Sequence, residues 1–513
     1  MGHAAYFLGM FIRKNKNRSG TVSIQIVEKM NRSNRIVKTV GVASTPREEE
    51  LLMLLAKSQL EQIQGTQSLF VEHDDLVVEN FVTTLSSMDL QIVGPELILG
   101  PIYQKIGYPD GGSCNYFKGL VLSRLVYPGS KLKTASYFKQ HLNLEVSVYT
   151  IYRFLDELSS TLKGQIEEAT FAHTQSVMGG SIGVVFYDMT SLYFEASQPD
   201  EFRISGFSKD GKHHHPQILI GLLVSGHGYP IGYELFEGNT SEANTLLPAL
   251  ESWQGRFGVK KPIVVADAAL LSQSNIEALQ AGGYDYILGG RLKNESDAIK
   301  ARIFDLSPSE GRPIELAHRN GRLIVTYSQK RAHKDKVNRE KGLKRLEKRV
   351  KSGKLSKQHI NNRGYNKYLR LSGQARVSID YEKFEADQRW DGLKGYVSNT
   401  TLSKDEVIAN YQHLWHIEKA FRISKTDLRI RPVYHRLKSR IEAHICICFA
   451  AYAVYKELER LLLINKIGLS PQKAIEEIRE IRQLRYMLPK SKTIKTRLLN
   501  PNENQTKLLN MKL

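Results

Sequence analysis

Two runs of strand-forming residues in this chain break at an aspartate: "GVVFYDMTSLYFE" (183–195) at Asp188 and "KPIVVADAALLS" at Asp267. Side chains at strand ends in an α/β sheet converge on the crevice there. Two carboxylates alone repel each other at neutral pH. They become useful on shared divalent cations, because hard oxygen ligands suit Mg²⁺, which takes one or two protein carboxylates together with phosphate oxygens. Two such ions about 3.5–4 Å apart activate a water or a 3′-hydroxyl and stabilise the leaving oxygen. A third carboxylate completes such a site, and the candidate is Glu418 in "YQHLWHIEKAFRISK". Steps of seven return to one face of an α-helix, so Tyr411, Glu418 and Lys425 share a stripe with Leu414 and Phe421 along it. A Glu on that partly apolar face needs a metal or a basic neighbour such as Arg422. A surface i,i+4 pair of Glu418 with Arg422 fits the spacing equally well.

The elements that must position these residues follow from pattern. Strands are expected at 182–188, 217–224, 230–236, 262–267 and 284–288, with helices at about 242–254 and 273–281; three consecutive strands followed by strand-helix units make an α/β fold with a mixed sheet. Before this core, residues 6–42 alternate as a β-hairpin turning at "NRSN". "TPREEELLMLLAKSQLEQIQG" then carries helix start and stop signals, closing a unit at 1–90. Residues 91–175 read as helical, with Lys, Arg and Tyr interleaved in "SRLVYPGSKLKTASYFK"; a DNA-binding domain and a helical cap with a solvated basic face are equal readings. The core is expected at 176–300 and again at 396–465, the latter with the Glu418 helix. Between them, 301–395 reads as an inserted β-rich, basic domain, with a hairpin at Asn320-Gly321 and the Lys/Arg-dense stretch "KRAHKDKVNREKGLKRLEKRVKSGKLSK". Residues 466–513 read as a helix and a disordered basic tail.

The chain has 513 residues, enough for two to four domains, and 73 Lys+Arg against 53 Asp+Glu give a net charge of +20. That excess points to a polyanionic partner, for a soluble chain usually nucleic acid. Three Cys (Cys114, Cys446, Cys448) offer no zinc spacing and fit a reducing compartment. No uncharged run approaches a membrane span, and the apolar-then-basic N-terminus is the reverse of a secretory signal. The expected location is cytoplasmic, on the nucleoid when bound to DNA, with no membrane partner.

The order strand-Asp, strand-Asp, insertion, helix-Glu resembles the DDE transposases of bacterial insertion sequences, which have an RNase H-like fold. Tyr411, Glu418 and Lys425 fall at the Tyr, Glu and Lys of the Y-x2-R-x3-E-x6-K signature of the insertion-sequence-four superfamily, while Leu414 occupies its Arg position. "YDMTS", "FEGNTSEANTL", "VADAALLS" and "DGLKGYVSNT" resemble other segments of that group, over about residues 90–465. The resemblance implies an RNase H-like mixed-sheet core with an inserted β-rich domain. It further implies that Asp188, Asp267 and Glu418 hold two Mg²⁺ ions, with Mn²⁺ as a substitute, and that Lys425 and Tyr411 contact DNA phosphate, with Arg422 beside them. A homodimer would bind double-stranded DNA at terminal inverted repeats, cleave it and transfer the strand to target DNA. Two alternatives are a Mg²⁺-dependent nuclease that joins nothing and a catalytically silent DNA-binding regulator.

Several features carry less weight. His213, His214 and His215 are consecutive and do not share a face. Trp253, Trp390 and Trp415 read as core residues before base-stacking ones. Asp210 and Asp391 sit in turns, and Asp285 inside a strand. Glu195 and Glu237 are weaker rivals for a metal.

Overall fold

The computed structural model describes residues 9–30, 33–64, 73–86, 89–141, 144–195, 198–206, 211, 214–258, 261–270, 272–353, 355–361, 364–372, 376–488 and 491–513. The chain divides into two compact units, Met1–Leu90 with Leu484–Arg497, and Gln91–Gln483 with Leu498–Leu513.

The first unit opens with an antiparallel meander of three strands, β1 (Met10–Lys16), β2 (Val22–Met30) and β3 (Ser33–Ala43). Sequence reading gives a single hairpin here; its turn at 31–34 lies partly outside the described residues. The apolar residues of β2 are buried, among them Ile24, Ile26 and Val27. Helix α1 (Pro46–Gln64) starts where the signals put it. Glu48 Oε2 accepts from the backbone N–H of Ser44 and Thr45 while Thr45 Oγ1 accepts from Glu48 N–H, satisfying donors at the helix start. Helix α2 (His73–Thr84) follows.

The division falls within β4 (Leu90–Ile92), and the second unit goes on with a helical region: α3 (Gly100–Ile106), α4 (Cys114–Val126), α5 (Lys131–His141), α6 (Val148–Thr161) and α7 (Lys163–Val177). The central sheet begins with β5 (Val184–Tyr193), β6 (Gln217–Ser225) and β7 (Pro230–Glu237). It continues through α8 (Leu246–Phe257), β8 (Ile263–Ala266), α9 (Gln273–Ala281), β9 (Tyr286–Gly290) and α10 (Asp297–Leu306). β5, β6 and β7 run antiparallel, and β8 lies parallel to β5 and β9 parallel to β8. The spatial order β9-β8-β5-β6-β7 is that of an RNase H-like sheet. Its faces sort by residue parity. Phe186 and Leu192 face the core shared with the helical region, whereas Val185, Tyr187 and Met189 face a second core with Trp253 of α8.

The insertion differs from the expected β-rich domain. β10 (Ile314–His318) and β11 (Gly321–Tyr327) belong to the central sheet itself, which has eight strands in the order β10-β11-β14-β9-β8-β5-β6-β7. Leu316, Leu323 and Val325 are buried in its second core, which draws the hairpin in. Beyond it the longest element is α11 (Gln329–Lys351), followed by β12 (Leu369–Ser372), β13 (Arg376–Ile379) and α12 (Tyr381–Ala386). A small core forms there because Leu346 of α11 packs with Leu369, Val377, Ile379 and Phe384. β14 (Leu393–Ser398) then enters the sheet between β9 and β11.

Helices α13 (Lys404–Gln412), α14 (Trp415–Thr426) and α15 (Lys438–Ile464) close the core. Most of α15 is buried, including Cys446 and Cys448, as an all-round apolar helix requires. Helix α16 (Pro471–Ile478) precedes β15 (Arg482–Met487), β16 (Ile494–Leu498) and α17 (Glu503–Leu509). The tail read as disordered therefore carries structure. Asn502 and Gln505 form a capping box at the start of α17, and Leu508 is buried.

Candidate active site

Asp188 does not end its strand. β5 runs on to Tyr193 because β6 continues to pair with it, from Val185–Ser225 to Tyr193–Gln217. What ends beside Asp188 is β8: the last parallel pair is Tyr187 with Ala266, so Asp188 and Asp267 come next in register. Adjacent strands lie about 4.8 Å apart and register partners point to the same face. The two aspartates are thus lateral neighbours, half-buried on β5 and exposed just beyond β8. Asp188 has the parity of Phe186 and Leu192, hence the face on which α14 packs.

Tyr411, Glu418 and Lys425 do not share one helix. The chain turns at His413–Leu414 between α13 and α14, through short bonds from Leu414 N to Tyr411 O (3.1 Å), His416 N to His413 O (2.9 Å) and Ile417 N to Leu414 O (3.2 Å). Such three-residue steps wind tighter than an α-helix, so the seven-residue stripe is broken. Tyr411 is buried and its hydroxyl donates to Asp267 Oδ1 at 3.3 Å. Burial, then the charge of Asp267, pushes the phenol pKa up, which keeps it a hydrogen-bond donor. Lys425 is half-buried and its ammonium donates to Thr190 Oγ1, two residues beyond Asp188 on the same face.

Glu418 is exposed in the first turn of α14. Among the described residues it forms no ion pair with Arg422. Arg422 is exposed as well, and its charge acts on Tyr455 of α15. Leu414, at the signature's Arg position, is buried in the main core.

Lys394 of β14 escaped the sequence reading. Its Nζ lies 4.3 Å from the Tyr411 ring centroid and 5.4 Å from that of Tyr396. Burial and then Arg331 lower its pKa, while Asp267 and Glu418 pull it back up. One ammonium therefore feels both carboxylates. The signal available was position: Lys394 and Tyr396 alternate on the strand that re-enters the core. Gly289 of β9 completes this wall, since a Cβ there would come within 2.5 Å of the Tyr411 hydroxyl and 2.9 Å of Ala268 N.

The donor set is entirely carboxylate oxygen, the chemistry that suits Mg²⁺ or Mn²⁺, and the adjacent aspartates fit a shared cation. Among the described residues, no group of three or more His, Cys, Asp or Glu side chains is close enough to hold one metal ion.

The rival groups are placed elsewhere. Asp391 pairs with Arg339 at 2.7 Å. Asp285 precedes β9 rather than lying within it. Glu195 is exposed in the turn after β5, and Glu237 is exposed at the end of β7. Trp253 is buried and Trp390 packs edge-on against Phe304, but Trp415 is half exposed over His416. Asp210 and His213 lie outside the described residues. No described helix is long and apolar enough to cross a membrane.

No curated protein matches this sequence. Among solved structures, a piggyBac transposase synaptic complex with hairpin DNA aligns at 10% identity and TM-score 0.38, covering 75% of this chain and 76% of that one. A Mos1 transposase paired-end complex with the left transposon end aligns at 12% identity and TM-score 0.15, covering 47% and 77%. A family model described as a transposase DDE domain matches residues 179–454, from just before β5 into the second half of α15. That span is more than half of the chain and contains Asp188, Asp267 and Glu418, so the chain belongs to the transposase DDE domain family.

Proposed function

We propose that this chain is a DNA transposase that cleaves DNA at the terminal inverted repeats of an insertion sequence and transfers the freed end to target DNA. The observation that carries this reading is the lateral pairing of Asp188 with Asp267 on the face covered by α14. Asp188, Asp267 and Glu418 would hold divalent cations, Mg²⁺ with Mn²⁺ as a substitute, which supply charge neutralisation at the scissile phosphate. The chain's own residues bind and orient. Tyr411 fixes the Asp267 carboxylate through its hydroxyl, and Lys425, anchored on Thr190, presents a cation to DNA phosphate beside Asp188. Lys394 offsets the negative charge of Asp267 and Glu418. Phosphoryl transfer needs mainly positioning and charge stabilisation, and these groups provide both.

Arg422 and the basic α11 would add salt-sensitive contacts to the DNA backbone, with the helical region 91–175 as a DNA-binding domain and a homodimer as the working unit. The test is cleavage of labelled duplexes bearing the DNA ends that flank the coding sequence, with Mg²⁺ or Mn²⁺ and a target plasmid. Nicked and joined products, both lost in Asp188→Asn, support transposition. Nicking without joining favours the nuclease reading. Binding without any metal-dependent cleavage favours a silent regulator.

A further inference from the structure

A cationic site, separate from the carboxylates, lies between the start of α5, the end of α4 and the segment that follows α14. It is a cavity of about 460 Å³ whose walls include Arg124, Lys131, Lys133, Arg429, Arg431 and Tyr434. Arg124 and Lys131 are only 5% and 4% exposed. Neither side chain has a hydrogen bond or an ion pair among the described residues. The carboxylate of this neighbourhood, Asp156, already accepts two bonds from Arg440, at 2.6 and 2.8 Å. Uncompensated buried cations are strongly disfavoured, and buried charges are ordinarily paired. Their effect is visible on their neighbours. Lys131 is pushed down to about 7 by burial and by Arg124, and His435 to about 3 by burial and then by Lys131, Arg440 and Arg124.

An independent observation comes from Arg429. It stands just after α14 at φ +46°, where the bond from Ile430 N to Ser424 O (2.9 Å) closes the helix end. That left-handed position is ordinarily glycine, and a larger residue there is strained. Backbone strain kept at a position whose side chain lines a cavity points to a role for that side chain.

We propose that this cavity binds a phosphate group, seated on Arg124 and Lys131 and reached by the exposed Arg429. A doubly charged, multi-acceptor anion matches two buried cations and the planar guanidinium forks around them. Phe194 bridges to Val433, and the Arg431 guanidinium lies 5.7 Å from the Tyr193 ring centroid. The cavity therefore sits by the far end of β5, five residues or roughly 17 Å along the strand from Asp188. That distance suits a backbone phosphate a few nucleotides from the cut. The binding itself does not depend on the carboxylates or on metal.

The test uses the full chain with inorganic phosphate as probe, at constant ionic strength, read by calorimetry and thermal melting. Phosphate is expected to bind and stabilise the wild type, and to bind Lys131→Met and Arg429→Gly about tenfold more weakly or worse. Without phosphate, both variants should melt at the same temperature as the wild type or higher, since one loses a buried charge and the other a strained residue. Equal phosphate affinity in wild type and variants would overturn the proposal. Adding duplex DNA separates the sources. Displacement of phosphate by DNA, with weaker DNA binding by Lys131→Met, identifies a backbone phosphate; phosphate that stays bound identifies a free anion. Failure of DNA cleavage would refute the transposase reading and leave this result untouched.

Discussion

The Tyr411 hydroxyl donates to Asp267 Oδ1 at 3.3 Å across 144 residues of sequence. The bond ties the helix before the His413–Leu414 turn to the carboxylate at the end of β8, and Gly289 leaves the space for it.

Removing that hydroxyl separates orientation from folding. Tyr411→Phe should change stability by less than about 1 kcal/mol, because exposed Asp267 regains water as a donor. Gly289→Ala should cost about 1–3 kcal/mol, since its Cβ collides with the phenol and the Ala268 backbone. Both should slow cleavage. Urea denaturation and initial rates on one labelled duplex check the two halves.

The adjacent aspartates are expected to hold a divalent cation jointly. Wild type, Asp188→Asn and Asp267→Asn are each melted first in chelator. Addition of Mg²⁺ or Mn²⁺ should raise the melting temperature of the wild type and not of the variants. A metal-induced shift that survives in both variants would remove these residues from the cation site.

Glu457 of α15 is fully buried and gathers Arg460 at 2.5 Å, His173 at 3.3 Å and Lys105 at 3.5 Å, while Tyr229 donates to it at 3.0 Å. Although burial opposes ionisation, these partners hold its carboxyl well below the ordinary Glu value. A depressed folded-state pKa contributes stability that is present above the unfolded value near 4.5 and is lost as pH falls through the folded one. Glu457→Gln should cost about 3–5 kcal/mol at pH 7. Denaturation from pH 7 down to 3 should find the gap between wild type and variant closing.

Lys131 gives a slope of the same sign in a higher pH window. Its folded-state pKa of about 7 lies below the unfolded value of 10.5. Below pH 7 the fold must carry the charge, and as pH rises from 7 toward 10.5 that penalty is relieved, so stability gains with pH. Arg124, His435, His444 and Cys448 face the same space, and of these the two histidines are already neutral. In denaturation curves between pH 7 and 10, Lys131→Met should show a flatter gain than the wild type.

The strands of the central sheet were legible because each is an apolar run closed by turn residues, and β5–β9 fall within a few residues of their expected bounds except at the far end of β5. There a charge looked like a terminus, although Met189 and Leu192 beyond it are buried and keep the strand paired. The break between α13 and α14 was not legible, since no Gly or Pro marks residues 411–418 and the tightened turn follows from packing. Lys394 was hidden for a related reason: one Lys in a strand reads as solvent-facing, and only the pairing of β14 with β9 brings it to Tyr411. The hairpin β10–β11 carried an ordinary turn signal, but nothing local says which sheet it joins.

The position of β14 has a consequence for synthesis. Between β9 and β14 the chain makes α10, the hairpin β10–β11, α11 and the small hairpin beyond it, yet β14 is the strand that covers β9. During translation β9 therefore waits as an open sheet edge, the kind of edge that invites pairing with another chain. Tyr411 leaves the ribosome 144 residues after Asp267, on the order of ten seconds later at ordinary elongation rates. A nascent or prematurely ended chain thus carries both aspartates on an unfinished sheet, and Glu418 joins them only when about four-fifths of the 513-residue polypeptide has been made.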